Sequence, residues 1–296
     1  MAKNFGAEER KVKSILSPGT VFTYNGKAYT VIESGKPTCY KGEPKTDIYV
    51  LASSDSGTTE FKISYKKENA DFLENKTSAD RAEALFGSQW SEIISEATSA
   101  IKEAFYNKPL IYKKQYGRTD KGAFTLGWKF ELLNKDNGEL SDKIKLTRQQ
   151  VIDVYAGTNL PIDKRNALVN GKEIKDSGVA THLLFRDDIS TANDIFDNLY
   201  TIEEFIEIHP DVYFACKALN YRCYRNKWDG NRPLAVYVDW SVSNGRLSYE
   251  IKFNKPLTTK GNEVGNKLLD CLEHLGIKTD DDVNTDNVEN YSIVFE

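Results

Sequence analysis

The chain has 296 residues, of which 40% are hydrophobic and 28% are charged, and its formal net charge is −4 at pH 7. This composition is typical of a globular protein with a sizeable core, in one large domain or two closely joined domains. No apolar run approaches the roughly 18 residues of a membrane span, and the N-terminal residues lack the apolar run of a signal peptide. We therefore expect no membrane partner. Because the cysteines show no Cys-x-x-Cys spacing, we also expect reduced thiols in a cytoplasmic protein and no zinc site.

The first half of the chain predicts a helix, a series of strands and then more helix. Hydrophobic periodicity and turn residues carry this prediction. In chain order, the expected elements are a helix over 7–16, strands over 21–24 and 28–33 joined by the turn dipeptide Asn25-Gly26, a strand headed by Asp47, a strand over 59–65, helical segments over 70–106, and strands over 110–112 and 124–133.

Beyond Asn134 the pattern of polar and apolar residues changes, and a soft domain boundary is expected between Asn134 and Asp142. The elements expected there are a helix over 145–155 capped by Thr147, a strand over 179–185, two helical pieces over 189–218 broken at His209-Pro210, a hairpin over 234–253 turning at Asn244-Gly245, a helix over 262–274, an exposed acidic loop over 280–289 and a last strand over 291–295. We interpret the scattered His182, His209 and His274 as core or surface residues rather than metal ligands.

Two carboxylates and a lysine interrupt a pair of otherwise apolar strands. Asp47 stands at the head of one strand, and Glu60 and Lys62 lie inside the next. Burying such groups is costly, which indicates a functional reason for them. Because strand side chains alternate, Glu60, Lys62 and Ser64 share one face. A hairpin centred near Ser53-Ser54 is expected to set Asp47 opposite Glu60, with Cβ atoms about 5 Å apart, so that one cation could bridge both carboxylates.

These residue types suit the metal-dependent cleavage of a phosphodiester. Mg²⁺ prefers oxygen ligands and retains several waters, so one or two carboxylates and a substrate phosphate suffice to hold it. A metal held in this way polarises the phosphate and activates the attacking water. The ammonium group of Lys62 can orient that water and offset charge on the phosphate. The pattern therefore predicts Asp47 and Glu60 as metal ligands and Asp47, Glu60 and Lys62 as catalytic residues.

The pattern Pro44-Lys45-Thr46-Asp47, twelve residues, then Glu60-Phe61-Lys62 resembles the PD-(D/E)xK nuclease superfamily, and it looks most like the type II restriction endonucleases. The shortest form of the motif lacks the intervening Lys45-Thr46. The resemblance implies a mixed α/β fold, with a central mixed β-sheet flanked by helices in a restriction-endonuclease-like catalytic core over 1–134. The strands over 110–112 and 124–133 are expected to complete that core, and 135–296 would form an additional α+β DNA-recognition region. A glutamate on the first helix, Glu9 or Glu8, would complete the metal site.

The resemblance also implies an activity. The expected protein is a Mg²⁺-dependent, sequence-specific endonuclease of double-stranded DNA that leaves 5′-phosphate and 3′-hydroxyl ends, with Mn²⁺ able to replace Mg²⁺. A homodimer that cuts both strands of a palindrome, a cognate DNA methyltransferase, and a bacterial, archaeal or phage source are expected with it. Two alternatives stay open: a repair, recombination or phage nuclease of the same fold, and a non-catalytic acidic protein that mimics or shields DNA.

A second copy of the pattern lies in the C-terminal half. Asp239 is followed after ten residues by Glu250-Ile251-Lys252, and the strands that carry them alternate equally well. The Pro-Lys-Thr-Asp head and the basic Lys66-Lys67 tail favour the first copy. The rival set of Asp239, Glu250 and Lys252 is instead interpreted as a hairpin with DNA contacts or solvent-facing charge.

The distribution of charge predicts a basic cleft in spite of the acidic total. Residues 108–175 and 217–260 each carry a net charge of +6, whereas 176–216 and 261–296 carry −8 and −7. Local positive surface supplies most of the non-specific affinity for DNA phosphates, and Arg, Lys, Asn and Gln read base edges. The candidate DNA-binding residues are Lys66, Lys67, Arg118, Arg165, Asn166, Arg225, Asn226 and Arg232. A solvated surface with no DNA role is the alternative interpretation of these charges.

Overall fold

The computed structural model divides the chain into two units, and each unit is built from two separate chain segments. It describes residues 5–40, 42–68, 70–75 and 77–296, with the side chains of 5–9 left out of the description. The first unit comprises 1–70 and 146–211, and the second comprises 71–145 and 212–296. Both contain helices and strands, so the protein is mixed α/β. Within the described ranges, no helix is long and apolar enough to cross a membrane.

Helices and strands are both spread along the described part of the chain. The helices are α1 (Phe5–Ile15), α2 (Ala79–Phe86), α3 (Trp90–Ala100), α4 (Lys102–Tyr106), α5 (Arg148–Ala156), α6 (Ile162–Arg165), α7 (Ala192–Phe196), α8 (Ile202–Ile208) and α9 (Gly261–His274). The strands are β1 (Val21–Tyr24), β2 (Lys27–Gly35), β3 (Ile48–Ser54), β4 (Gly57–Lys66), β5 (Phe72–Glu74), β6 (Ile111–Tyr112), β7 (Ala123–Leu133), β8 (Ser141–Ile144), β9 (Leu168–Val169), β10 (Lys172–Glu173), β11 (His182–Phe185), β12 (Leu199–Thr201), β13 (Val212–Arg222), β14 (Lys227–Trp228), β15 (Val236–Ser243), β16 (Arg246–Lys252) and β17 (Val294–Phe295). Short 3₁₀ turns cover Cys223–Arg225, Asp280–Asp282 and Tyr291–Ile293.

The first unit is built on a six-stranded mixed sheet. Its strand order is β1-β2-β3-β4-β11-β12, in which the four N-terminal strands pair antiparallel with their neighbours and β11 runs parallel to β4. A parallel neighbour needs a crossover connection, and the chain between β4 and β11 includes α5 as well as a whole segment of the second unit.

Helices cover both faces of this sheet. On one face, α1 and α7 bury Val12 and Phe196 in a core cluster with Phe61. On the other, Phe205 of α8 stacks on Phe185 of β11 with ring centroids 5.1 Å apart and meets Tyr155 of α5 at 5.3 Å. The sheet is therefore the middle of three layers, and a polar side chain on it needs a specific partner or an open edge.

The second unit contains a nine-stranded sheet. Its central path is β14-β13-β7-β15-β16, while β5 and β6 pair with β7, β8 pairs with β13, and β17 pairs with β6. Phe130 and Phe214 stack across β7 and β13 with centroids 5.4 Å apart. The fully buried Trp240 donates its indole N–H to the Thr125 carbonyl at 3.0 Å, which satisfies the one polar group that this large side chain brings into the core.

Local turn and cap signals are confirmed. Asn25 and Asn244 adopt φ of 48° and 51° at the two predicted hairpin turns, as the asparagine-glycine dipeptide favours. Thr147 caps α5 in a reciprocal capping box with Gln150. These features depend on a few adjacent residues, so the sequence specifies them directly.

Long-range connections differ from the predictions. The strands at 111–112 and 123–133 belong to the sheet of the second unit, and the neighbour of β4 is β11, which follows 115 residues after β4 ends. The expected division at 134/135 likewise differs from the two interleaved units. The prediction of helix over 212–218 is wrong, because β13 pairs with β7 along its whole length and this pairing outweighs local propensity.

Candidate functional site

Asp47 lies immediately before β3, on the first unit's sheet. Its Oδ2 accepts a hydrogen bond from the Tyr65 backbone N–H at 2.8 Å and another from Ser64 Oγ at 3.4 Å. The Asp47 backbone N–H donates to the Ile63 carbonyl at 2.9 Å. These contacts fix the orientation of the Asp47 carboxylate beside the end of β4.

Glu60 and Lys62 lie farther along β4, beside Tyr49. The Tyr49 hydroxyl donates to Glu60 Oε1 at 2.6 Å, and Lys62 Nζ lies 3.9 Å from Glu60 Oε2. Only 13% of the Lys62 side chain is exposed, compared with 39% for Glu60. Burial and the hydrogen bond to Glu60 raise the pKa of Tyr49 above its usual range, so Tyr49 acts as a neutral donor that orients the Glu60 carboxylate.

The register of β3 and β4 differs from the predicted one by four residues. The ladder pairs Ile48 with Ile63, Tyr49 with Lys62 and Leu51 with Glu60, so its continuation sets Asp47 opposite Ser64. Asp47 and Glu60 share a face, because an even shift preserves side-chain alternation. They are displaced along the strands by roughly 13 Å at about 3.3 Å per residue. The two carboxylates therefore do not face each other across one cation.

The turn explains this difference. The strands continue to a Ser54–Gly57 pair, so the loop between them is Asp55-Ser56 rather than Ser53-Ser54. Ser54 Oγ contacts the Gly57 carbonyl at 3.3 Å, and Gly57 adopts a φ of 118° that glycine tolerates. The buried Ala52 continues the alternation of β3 up to the predicted turn at Ser53-Ser54, which is the signal that sequence reasoning missed.

Two lysines flank Asp47 in the observed register. Because Asp47 lies opposite Ser64, Lys62 and Lys66 are its diagonal neighbours on the same face, at about 7–8 Å between Cα atoms. Lys66 is the last residue of β4, and its carbonyl accepts from the Arg186 N–H at 3.2 Å. Both lysines therefore project from the same face of the sheet as Asp47.

Three further residues meet this face and had no predicted role. Tyr49 donates its hydroxyl to Glu60 Oε1 at 2.6 Å. Thr181, just before β11, contacts the Lys62 backbone: its N–H and Oγ1 donate to the Lys62 carbonyl at 2.8 and 3.3 Å, and its Oγ1 accepts from the Lys62 N–H at 3.2 Å. Glu33 of β2, which pairs with Leu51, accepts from Asn170 Nδ2 at 3.0 Å. Thr181 and Glu33 lie outside the motif along the chain, so the sequence gives no means of selecting them, whereas Tyr49 follows Asp47 by two residues.

The structure places one carboxylate of fixed orientation, that of Asp47, beside the end of β4. In the described part of the chain, no group of three or more His, Cys, Asp or Glu residues is placed to hold a metal ion. Mg²⁺ retains several waters and needs only one or two carboxylates, and the Asp47 carboxylate has a fixed orientation. The side chains of Glu8 and Glu9, the predicted helix ligands, lie outside the described residues.

The rival set has the facing register that the first set lacks. Asp239 of β15 lies directly opposite Glu250 of β16. Both carboxylates already have lysine partners, since Asp239 pairs with Lys267 of α9 and Glu250 pairs with Lys252. Glu250 is 65% exposed, and an exposed ion pair of this kind is ordinary surface chemistry.

Three of the predicted DNA-binding residues form hydrogen bonds within their own loops. Arg165 forms two hydrogen bonds to Asp176 Oδ1, at 3.0 and 2.7 Å, and Asn166 Oδ1 accepts from the Asp176 N–H at 3.0 Å. Asn226 adopts a φ of 43° and accepts from the Tyr221 hydroxyl at 3.0 Å. These three side chains are engaged in shaping their own loops.

The remaining candidates lie at the surface or at the end of β4. Arg225 is 62% exposed and lies 3.8 Å from Asp120. Arg118 and Arg232 are exposed, and Lys66 and Lys67 are partly buried at the end of β4. Arg118, Arg225 and Arg232 belong to the second unit, whereas Lys66 and Lys67 belong to the first.

His182 is a core residue of the first unit and provides a test of this sheet. Its ring packs against Phe61 and Tyr24, with centroids 5.5 and 5.9 Å away, and Nδ1 lies 2.8 Å from Thr181 Oγ1. Burial lowers its pKa from 6.5 to about 4, and this effect exceeds the opposing influence of Glu204 and Glu203. His182 is therefore neutral in the folded protein at pH 5 to 7.

We expect acid to destabilise the first unit through His182. Between pH 6.5 and about 4 the unfolded chain binds more protons at this residue than the folded chain, so the unfolding free energy falls as pH falls. The loss reaches about 3 kcal/mol at the lower end of that window. Denaturant unfolding of His182→Phe should show a flatter pH profile than the wild type. The exposed His274 supplies the control, and a His182→Phe profile as steep as that of His274→Asn would contradict the assignment.

Comparison with family models, curated proteins and solved structures gives no match to this chain.

Proposed function

We propose that the chain is a Mg²⁺-dependent, sequence-specific endonuclease of double-stranded DNA, of the type II restriction kind, with its reaction centre at Asp47. The observation that carries the proposal is the position of Asp47 between two same-face lysines, Lys62 and Lys66, at the point where β3 begins beside the end of β4. A fixed carboxylate with lysines at the two diagonal positions of the same sheet face suits an anionic substrate that is held through a divalent cation.

The order of elements in the first unit supports the same interpretation. Helix α1, strands β2 to β4 and helix α5 follow one another within that unit, and β11 extends the sheet beside β4. This is the order of helix, strands and helix that a restriction-endonuclease-like core requires. The segment over 71–145, which forms part of the second unit, is then an insertion between the catalytic strands and the helix that follows them.

Each residue at the centre has a distinct role in this proposal. Asp47 would hold Mg²⁺, with Mn²⁺ as a substitute, and the metal would supply charge stabilisation at the phosphate and an activated water. Lys62 positions the attacking water and offsets developing charge. Glu60 is 3.9 Å from Lys62 and accepts from Tyr49, so it orients the Lys62 ammonium instead of sharing the metal with Asp47. Lys66 contacts the scissile strand.

A homodimer would bring two such centres to the two strands of a palindromic site, because protein two-fold symmetry mirrors the symmetry of the DNA. A cognate DNA methyltransferase that protects the same site belongs with this function. A repair, recombination or phage nuclease would share the centre but cut by structure rather than by sequence.

Cleavage of plasmid and phage DNA tests the proposal. The purified protein with Mg²⁺ should give discrete fragments with 5′-phosphate and 3′-hydroxyl ends, and EDTA should prevent cleavage. Smearing or cutting at flaps would instead assign the protein to repair or recombination. Absence of cleavage with Mg²⁺ and with Mn²⁺, on unmethylated genomes of varied sequence, would overturn the nuclease proposal and leave the acidic DNA-mimic interpretation.

A further inference from the structure

A cleft of about 410 Å³ opens on the second unit, and Arg118 is the one residue in its lining that also belongs to the predicted sites. Its walls come from the tight turn at 116–119, from the loop at 137–140 and from neighbouring positions of β7 and β13. Pockets of about 300–1,000 Å³ are of the size that takes small organic ligands. The chemistry of its lining residues narrows the choice of ligand.

Positive charge lines the cleft from three directions. Lys108, Arg118 and Lys217 all contribute to its wall. Arg118 stands at the tip of a turn that is closed by two backbone hydrogen bonds between Tyr116 and Thr119, both 2.9 Å. Among the described residues, Arg118 and Lys217 form no ion pair, so their charges are available to an anion.

Lys108 lies in the cleft wall and pairs with a carboxylate at the rim that a ligand can replace. Its side chain is 19% exposed and pairs with Glu139, which is 73% exposed at the rim. Burial lowers the pKa of Lys108, which shows that water solvates this ammonium group poorly. An anionic ligand group that enters the cleft can replace the exposed Glu139 carboxylate on Lys108.

Aromatic rings form the remaining wall. Tyr116 is 41% exposed, and Phe295 supports it from behind with ring centroids 4.7 Å apart. Tyr112 lies 6.1 Å from Tyr116 at an interplanar angle of 33°, and its hydroxyl donates to the Pro109 carbonyl at 2.9 Å. The buried Trp128 forms the floor. A supported, exposed tyrosine ring is a platform on which a base can stack.

We propose that this cleft binds a single nucleotide, with its base stacked on Tyr116 and its phosphate held by Arg118 and Lys108. An aromatic platform next to cationic side chains fits a molecule that is planar at one end and anionic at the other. Neither a purely apolar ligand nor a simple inorganic anion uses both walls. The nucleotide can be free in solution or can belong to a DNA strand from which the base has been extruded. The inference holds independently of the reaction centre at Asp47.

Calorimetric titration of the full chain in EDTA tests nucleotide binding without any cleavage. Deoxynucleoside monophosphates should bind more tightly than the matching nucleosides or inorganic phosphate. Arg118→Ala should weaken binding about tenfold or more, and Tyr116→Ala should weaken it similarly through lost stacking. Arg246→Ala is the matched control, because Arg246 is also an exposed arginine next to a tight turn in the second unit but is not part of the cleft.

Three results would overturn the assignment. These are no binding at millimolar nucleotide, equal binding of phosphate alone, or an equal loss in Arg246→Ala. Arg118 lies on an exposed turn, so its variant keeps the test valid even if Tyr116→Ala loosens the packing of Phe295.

A duplex that contains 2-aminopurine distinguishes the two sources of the nucleotide. Extrusion of the base removes it from the stack, so its fluorescence should rise on binding and should fall again when excess free monophosphate competes for the cleft. A rise that the monophosphate does not reverse would place the extruded base outside the cleft and overturn the DNA source. Tight monophosphate binding with no fluorescence change would assign the cleft to free nucleotides.

Discussion

Lys62→Ala should slow Mg²⁺-dependent DNA cleavage by a factor of about 10² to 10³ while leaving DNA affinity in Ca²⁺ nearly unchanged. Lys62 is largely shielded from solvent, is oriented by Glu60 at 3.9 Å, and flanks Asp47 across the ladder. An interaction that forms mainly in the transition state lowers kcat without weakening ground-state binding. Single-turnover cleavage and a gel-shift titration in Ca²⁺ measure the two quantities separately.

Two other lysines supply the comparisons for this variant. Lys66→Ala should weaken binding and slow cleavage to a smaller extent, because Lys66 is assigned to a phosphate contact. Lys252→Ala removes the lysine of the rival hairpin and should cleave normally. A fully active Lys62→Ala protein together with an inactive Lys66→Ala protein would transfer the role to Lys66. If only Lys252→Ala were inactive, the centre would lie in the second unit.

Asp47→Ala should abolish cleavage and also lower the unfolding free energy of the metal-free protein by about 1–3 kcal/mol. The alanine variant leaves the Tyr65 N–H, which donates to Asp47 Oδ2 at 2.8 Å, without its acceptor. Asp47→Asn retains a carbonyl oxygen for that bond, so it should preserve most of the stability and still lose the metal. Urea unfolding with and without Mg²⁺ measures both effects.

The comparison between these two variants separates structural from catalytic roles. If Asp47→Asn cleaved DNA at the wild-type rate, Asp47 would be a structural acceptor at the end of β4 and not a metal ligand. If Asp47→Ala were as stable as the wild type, the hydrogen bonds from Tyr65 and Ser64 would contribute little. A facing carboxylate pair would have predicted a stability gain on removing Asp47, and the observed register removes that expectation.

Side-chain alternation and local turn chemistry could be predicted from the sequence. The shared face of Glu60, Lys62 and Ser64 follows from alternation alone, and the asparagine-glycine hairpins and the Thr147 cap follow from adjacent residues. To predict the register of β3 on β4, the position of the turn that joins them must also be known. With the turn placed at Ser53-Ser54 instead of Asp55-Ser56, the predicted partner of Asp47 on β4 differs from the observed one by four residues. Because four is an even number, Asp47 and Glu60 remain on the same face of the sheet.

The parts of the site that come from distant segments could not be predicted. Thr181 and β11 reach β4 only after the long segment that contributes to the second unit. Nothing in the residues near β4 specifies this parallel partner, because the pairing depends on which segments fold together in each unit. The same limit applies to the cleft of the second unit, whose walls come from segments separated by up to about 100 residues along the chain.

Plasmid cleavage by Asp47→Asn and Asp239→Asn, measured side by side with Mg²⁺, tests the position of the reaction centre most directly. Both substitutions remove one carboxylate charge from an equivalent position in the two copies of the motif. The reaction centre proposed at Asp47 predicts that Asp47→Asn is inactive and that Asp239→Asn cleaves at close to the wild-type rate. An active Asp47→Asn protein with an inactive Asp239→Asn protein would contradict it and place the centre on the hairpin of β15 and β16.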